Sequence, residues 1–275
     1  MTTNGSHDEP YWLGRASEEQ KRLLKQHGIW TKSIGYSLHP SIAANLPSNA
    51  RIADVATGTG IWLKDLASVS PSTQTFHGYD ISSEQYLPAT SLPPNVSLDL
   101  LDIKKPIPTA LQGTFDLVNV RLVIIAMGSL DVWQSTLANL ITMLKPGGCI
   151  TWTDGNFLHA RGFRGADDKS TPGHALTTGL MQMNNTLVQR FGYSFPDLGR
   201  LFRDAGLCGV REDVVKARVY RDFDRRAVGG VGEFEQGWGR GVLGRGRGGE
   251  VEGGGREGYG EWGVYEVGYS CLCWV

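Results

Sequence analysis

RIADVATGTGIWLKD, residues 51–65, decides how the rest of the chain is read. Ile52 to Val55 have strand character, Gly58 and Gly60 form a tight turn, and Ile61, Trp62, Leu63 and Leu66 open a helix. A strand feeding a glycine turn and then a helix aims unpaired backbone N–H groups and the positive helix end into one small space. The natural occupant of that space is anionic or electron-rich and sits at close backbone approach.

Spacing narrows the occupant. A dinucleotide fingerprint needs G-x-G-x-x-G, and the third glycine position here is Leu63. A phosphate loop needs Gly-Lys-Ser/Thr, which Gly60-Ile61-Trp62 excludes. What remains is Asp54 closing the strand, then G-x-G, then a second acid, Asp80, ending the apolar stretch TFHGYD. A carboxylate at that strand end is placed to accept both hydroxyls of a ribose. Without a pyrophosphate signature, the ligand described is a nucleoside carrying an amino-acid tail.

DVATGTG together with Asp80 resembles motif I and the following acidic position of class I S-adenosylmethionine (SAM) dependent methyltransferases. A Rossmann-like turn serving another nucleotide, or none, is the alternative. The resemblance spans about residues 10 to 220 and implies an α/β fold, a Rossmann-like doubly wound sheet with an N-terminal helical lid. It also implies SAM as cofactor. Its residues carry over one by one: Ala56, Thr57, Gly58 and Gly60 shape the methionine turn, and Asp54 holds the methionine amine directly or through water. Asp80 with Ile81 takes the ribose, and Asp102 with Ile103 takes the adenine, where a turn-capping role for Asp102 is the alternative. Asn119 and Arg121, ending the buried run FDLVNV, lie near the chemistry; Arg121 serves equally well to hold a loop carboxylate.

At 275 residues and 40% hydrophobic composition, the chain suits one large domain with appendages. A formal charge of -1 gives no basic field for nucleic acid or an anionic membrane. The expected partner is a small-molecule acceptor, and no metal is expected. The polar start MTTNGSHDEP and the lack of a long apolar window predict a soluble, cytoplasmic protein. Cys149, Cys208, Cys271 and Cys273 lack C-x-x-C spacing and read as reduced, packed thiols.

Residues 1–45 form the lid, starting helically at Ser17, with a capping box if Gln20 is the third helical residue. The order Tyr11, Leu13-Gly14-Arg15, Glu19, Arg22-Leu23, Gln26-His27 and Leu38-His39-Pro40 resembles methyltransferases of fungal secondary metabolism. In that family such a segment folds over the cofactor, which adds Tyr11 to the binding set. The core occupies 46–228. Helix 61–69 stops before Pro71, strands fall at 75–79, 95–101 and 115–120, and a helix runs over 131–144. LKPGG then ends that helix ahead of a strand at 149–153, which brings Trp152 and Asp154 to the carboxyl edge. Residues 155–195, the least regular of the core, carry substrate selection, with Met-bearing helical sequence at 180–188. A helix from Phe195 to Gly206 and a sixth strand at 210–220 complete the core.

From Gly229 the chain turns glycine-rich. The last strand the family requires has one candidate, 264–274, after a connection far beyond the usual ~4–6 residues. The tail, 229–275, is therefore expected to be an insertion or a stretch read in an altered frame. The single RGRGG unit at 245–249 is too little for an RNA-binding reading.

The resemblance implies methyl transfer to an O or N, less readily a C, of a natural-product intermediate. His27, His159 and His174 are the candidate bases, with Tyr11 and Asp154 behind them. A carboxylate acceptor needs no base. Two alternatives stand beside this reading. One is a regulator-type homologue acting through protein partners; the other is a non-methylating SAM-binding cyclase or pericyclase.

Overall fold

The computed structural model describes residues 17–155, 161–164, scattered helical positions between 178 and 189, 196–219 and 263–273. A helical N-terminal layer, α1 (Ser17–Ile34) and the short α2 (Pro40–Ala43), precedes the sheet. The core then alternates β1 (Arg51–Val55), α3 (Ile61–Val69), β2 (Thr75–Asp80), β3 (Val96–Leu100), β4 (Phe115–Arg121), α4 (Ile124–Met127), α5 (Leu130–Ile141) and β5 (Leu144–Gly155). β6 (Arg161–Arg164), α6 (Leu198–Asp204), β7 (Arg211–Val219) and β8 (Gly263–Cys273) follow.

β1 to β5 are parallel, in the order β3-β2-β1-β4-β5. β8 runs antiparallel beside β5 through Asp154↔Ser270 and Gly155↔Tyr269, and itself pairs with β6 and β7. The strand order reverses between β1 and β4, and in such sheets the crevice beyond the carboxyl ends at that reversal is where ligands bind.

Strand alternation gives each face its own chemistry. One face carries Ala53, Val55, Val118, Val120, Ile150 and Trp152 against Trp133, Leu137 and Leu140 of α5 and Leu198, Leu201 and Phe202 of α6. Trp133 stacks on Trp152 with centroids 5.1 Å apart. The opposite face begins apolar, with Ile52, Leu117 and Cys149 beneath Trp62, Leu63 and Leu66 of α3. Two residues further along the same strands, and so on the same face, stand Asp54, Asn119 and Thr151, then Arg121 and Thr153. This change from hydrocarbon to hydrogen-bonding groups toward the carboxyl ends makes a site of that end of the sheet.

Close approach explains the glycine of TFHGYD. A Cβ on Gly78 would overlap Leu98 and lie 2.9 Å from Leu63 Cδ1 and 3.0 Å from Thr57 Cγ2. Gly78→Val is expected to cost about 2–3 kcal/mol by overpacking, read as a lower urea midpoint with an unchanged slope. An unchanged midpoint would show that β3 and α3 give way freely.

The LKPGG segment differs from the sequence reading. α5 ends at Ile141, and Leu144 is already paired with Phe115. The pairing shifts register between Phe115 and Leu117, so Lys145 to Gly148 form an irregularity inside β5 and not a linker before it. Gly147 takes φ +78, and a Cβ on Gly148 would meet the carbonyl oxygens of Phe115 at 2.9 Å and Lys145 at 3.0 Å. Lys145 also reaches across to Asp116 at 2.7 Å.

Gln20 sends its amide to the carbonyls of Gln85 (3.1 Å) and Tyr86 (3.3 Å), tying α1 to the loop after β2. His39 caps α2, its Nδ1 accepting the Ser41 N–H at 3.2 Å. Among the described residues no helix is long and apolar enough to cross a membrane, and no group of three or more His, Cys, Asp or Glu is placed to hold a metal ion.

Candidate cofactor cleft

A cleft opens over the carboxyl ends of β1 to β4 and is roofed by α1. Its lining includes Asp54, Ala56, Thr57, Gly58, Asp80, Ile81, Asp102, Ile103, Arg121 and His27, ten of the residues singled out in the sequence. Gly60 stands behind the turn at φ +79, where a Cβ would come within 2.9 Å of Leu98. Asn119 lies beneath Asp54 and lines a smaller neighbouring cavity with Trp30, Tyr36, Thr151 and Thr153. Tyr11, His159 and His174 lie outside the described residues, as do most of the substrate-selecting stretch 155–195 and the glycine-rich tail before β8.

The turn is built to hold Asp80. Gly58 adopts φ +60 and Ala56 φ +52, which lets the Gly58 N–H donate to Asp80 Oδ2 at 2.8 Å. The Ser82 N–H reaches Asp80 Oδ1 at a long 3.4 Å, leaving that oxygen with accepting capacity. Burial raises the Asp80 pKa while the backbone N–H groups oppose it.

Asp54 sits deeper, 2% exposed, with its oxygens taken by the Thr57 hydroxyl and the Asn119 amide, each at 2.6 Å. Asn119 in turn accepts the Thr151 hydroxyl at 2.6 Å. Burial pushes the Asp54 pKa up, and Arg121 and these donors pull against it. Asp102 caps its own turn by accepting the Lys104 N–H at 3.0 Å and pairs with Lys105 at 3.2 Å, so the capping role is present.

His27 is placed differently from a base facing an acceptor. Its Nε2 lies 2.9 Å from Asp65 Oδ2 and its Nδ1 lies 3.4 Å from Arg121 Nη1. Guanidinium only donates, so Nδ1 must accept and the proton sits on Nε2, donated to Asp65. Burial and then the Arg121 charge lower the His27 pKa, while Asp65 raises it. The neutral ring therefore has both nitrogens engaged.

Asp154 is fully buried and does not line the cleft, which removes it from the candidate bases. It accepts the N–H groups of Val123 (2.9 Å) and Gly155 (3.0 Å) and holds the start of α4. Val123 and Ile124, thus fixed after the positive-φ Leu122 (φ 57), form part of the cleft wall. Burial pushes Asp154 up to about 7 against those N–H groups. Between the ordinary carboxylate range and about 7, the folded state then binds more protons than the unfolded one. This stabilisation is full in acid and is lost as pH rises to about 7. Asp154→Asn is expected to flatten this slope in urea unfolding compared at about pH 5 and about pH 7.5. A variant with the wild-type slope would locate the buried proton elsewhere.

The sequence reading did not place Arg22, Gln26 and Gln85 in the site. Arg22 and Gln26 share a helix face with Leu23 and His27, a spacing visible in the sequence; Arg22 is gripped by Glu19 at 2.7 and 2.8 Å. Gln85 carried no sequence signal. It lines the cleft buried, and its amide nitrogen and oxygen have no hydrogen-bond partner among the described residues. An orphaned donor and acceptor in the wall, beside a clamped carboxylate with a spare lone pair, fit a nucleoside.

Residues 52–148 match the model of a methyltransferase domain family. The chain is 35% identical over 144 residues to N-methyltransferase tcpN of Claviceps purpurea, covering 52% of this chain and 51% of that one. It is 36% identical over 163 residues to methyltransferase grgD of a Penicillium species, covering 56% and 55%. The chain thus spans about half the length of these curated relatives. A methyltransferase solved in complex with the Haloferax volcanii Trm112 activator shares the fold, with a TM-score of 0.51 at 15% identity over 96% of this chain and 98% of that one. The glycine turn, the acid ending β2 and the sheet order are consistent with these likenesses, and residues 52–148 are similar to a methyltransferase domain.

Proposed function

We propose that the protein transfers a methyl group from SAM to a nitrogen or oxygen of a small-molecule intermediate in fungal secondary-metabolite biosynthesis. The observation that carries this reading is the Asp80 carboxylate, clamped by the Gly58 N–H at 2.8 Å and open to the cleft. Asp80 takes the ribose hydroxyls. The apolar Ile81 and Ile103 and the carboxylate of Asp102 border the adenine, and the orphaned amide of Gln85 finds its partner on the nucleoside. Asp54 faces the amine of the amino-acid tail. When bound, SAM supplies a methyl group already activated on sulfonium.

The chain's contribution is positioning. α1 roofs the cleft and the Leu122–Met127 turn walls it, holding acceptor and methyl in line and dry, an effect that reaches ~7–11 kcal/mol. Of the candidate bases that are described, His27 has both nitrogens engaged and Asp154 is sealed from the cleft. The reading therefore favours an acceptor that arrives with its lone pair free, a neutral amine above all; the name of the tcpN relative agrees. His159 and His174 remain the candidates for a base should the acceptor be a phenol.

Incubation with SAM and a panel of amine, phenol and carboxylic-acid natural-product intermediates, read by mass spectrometry, tests this. Gain of one methyl, first among the amines, is expected. Unmodified acceptors together with a stably co-purifying protein partner would favour the regulator-type reading.

A further inference from the structure

Arg121 is an unusual cation. Among the described residues it forms no ion pair within reach of a carboxylate, and its buried Nε has no hydrogen-bond partner. Its head is held by neutral groups, with His27 Nδ1 at 3.4 Å and the Trp62 ring 5.5 Å from Cζ. Trp62 is itself pinned by its indole N–H to Ser37 O at 2.7 Å, and His27 by Asp65 at 2.9 Å. A guanidinium so enclosed is costly unless an anion completes it.

The opposite charge is held nearby, but apart. Asp54 pairs with Asn119 across β1 and β4, and Arg121 follows Asn119 by two residues, so both project from the same sheet face into the same cleft. The carboxylate is held by Thr57 and Asn119, one donor on each oxygen, and the guanidinium is oriented by His27 and Trp62. Their charges attract, and each favours the ionised form of the other. Two opposite charges, separately anchored in one cleft, complement a ligand whose own charges sit side by side in the reverse order. An α-amino acid zwitterion is that ligand.

We propose that Arg121, oriented by the Asp65–His27 pair, binds the α-carboxylate of the cofactor's amino-acid tail, forming with Asp54 a two-charge clamp for the zwitterion. The assignment rests on the SAM reading of the cleft. It moves Arg121 from the methyl-transfer centre to recognition of the tail, and it gives His27 the work of fixing a guanidinium in place of accepting a proton.

The test is a calorimetric cycle with three ligands: S-adenosylhomocysteine, its decarboxylated analogue S-adenosyl-3-thiopropylamine, and 5′-methylthioadenosine, which lacks the tail. Wild-type protein is expected to bind the decarboxylated analogue at least about tenfold more weakly than S-adenosylhomocysteine, the worth of a charge-assisted pair. In Arg121→Met that ratio falls toward unity while 5′-methylthioadenosine binds as before, which also reports that the variant is folded. A wild-type ratio near unity overturns the proposal, whatever the variant does, and leaves Arg121 to an acidic group on the acceptor. An undiminished ratio in Arg121→Met overturns it as well. If the wild type binds none of the three, the cofactor reading itself falls, and this inference with it.

Discussion

Asp80→Ala is expected to lower the affinity for S-adenosylhomocysteine about a hundredfold while leaving the fold intact. Each hydrogen bond from a hydroxyl to a carboxylate contributes ~1.5–3 kcal/mol, and a ribose offers two. Part of that gain goes to desolvating a group whose pKa burial already raises, so the lower end of the sum applies. The substitution also strands the Gly58 N–H, which now donates to Asp80 Oδ2 at 2.8 Å. Asp80→Asn keeps an acceptor for that N–H and should lose less, about tenfold. Titration calorimetry on both variants measures this, with thermal unfolding as the check on folding. Binding within threefold of wild type by Asp80→Ala would remove the ribose from this carboxylate.

Asp54→Asn separates stability from function. The wild-type carboxylate is 2% exposed, and burial outweighs Arg121, Thr57 and Asn119 in setting its pKa above the ordinary range. Above that raised value the folded state bears the cost of an ionised group, so the neutral amide is expected to leave stability at neutral pH unchanged or higher. An amide at 54 can still accept from Thr57, and Asn119 and Thr151 can turn to meet its NH₂ group. What disappears is the negative charge facing the ligand's ammonium, and with it about ten- to hundredfold in affinity. Urea unfolding and titration of one preparation decide the matter. A loss of stability with affinity retained would make Asp54 a structural residue only.

The part of the molecule legible in the sequence is the part whose geometry is local. Residues 51–55 and 61–69 form β1 and α3 as read, because an apolar run, two glycines at positive φ and a helical apolar repeat all act within one short stretch of chain. Asp80 follows from the same logic, at the end of the next strand. Where the structure adds to or departs from the sequence reading, the causes are tertiary. His27 looked like a base because imidazole titrates near neutrality, yet its partners Asp65 and Arg121 are 38 and 94 residues away. Asp154 is at the carboxyl edge as expected, but the backbone turns its carboxylate inward to the N–H of Val123. LKPGG reads as a helix stop, whereas pairing of Leu144 with Phe115 carries the strand through it. Gln85 had no pattern to betray it, since an orphaned amide is visible only once the walls of the cleft are in place.

The central claim is that the cleft over β1 to β4 binds a nucleoside with an amino-acid tail. Titration of S-adenosylhomocysteine into the full-length wild-type chain tests it most directly. One saturable site with micromolar or tighter affinity, and a melting temperature that rises with ligand concentration, is the predicted result. A cooperatively folded protein that gives neither binding heat nor a shift in melting temperature would contradict it.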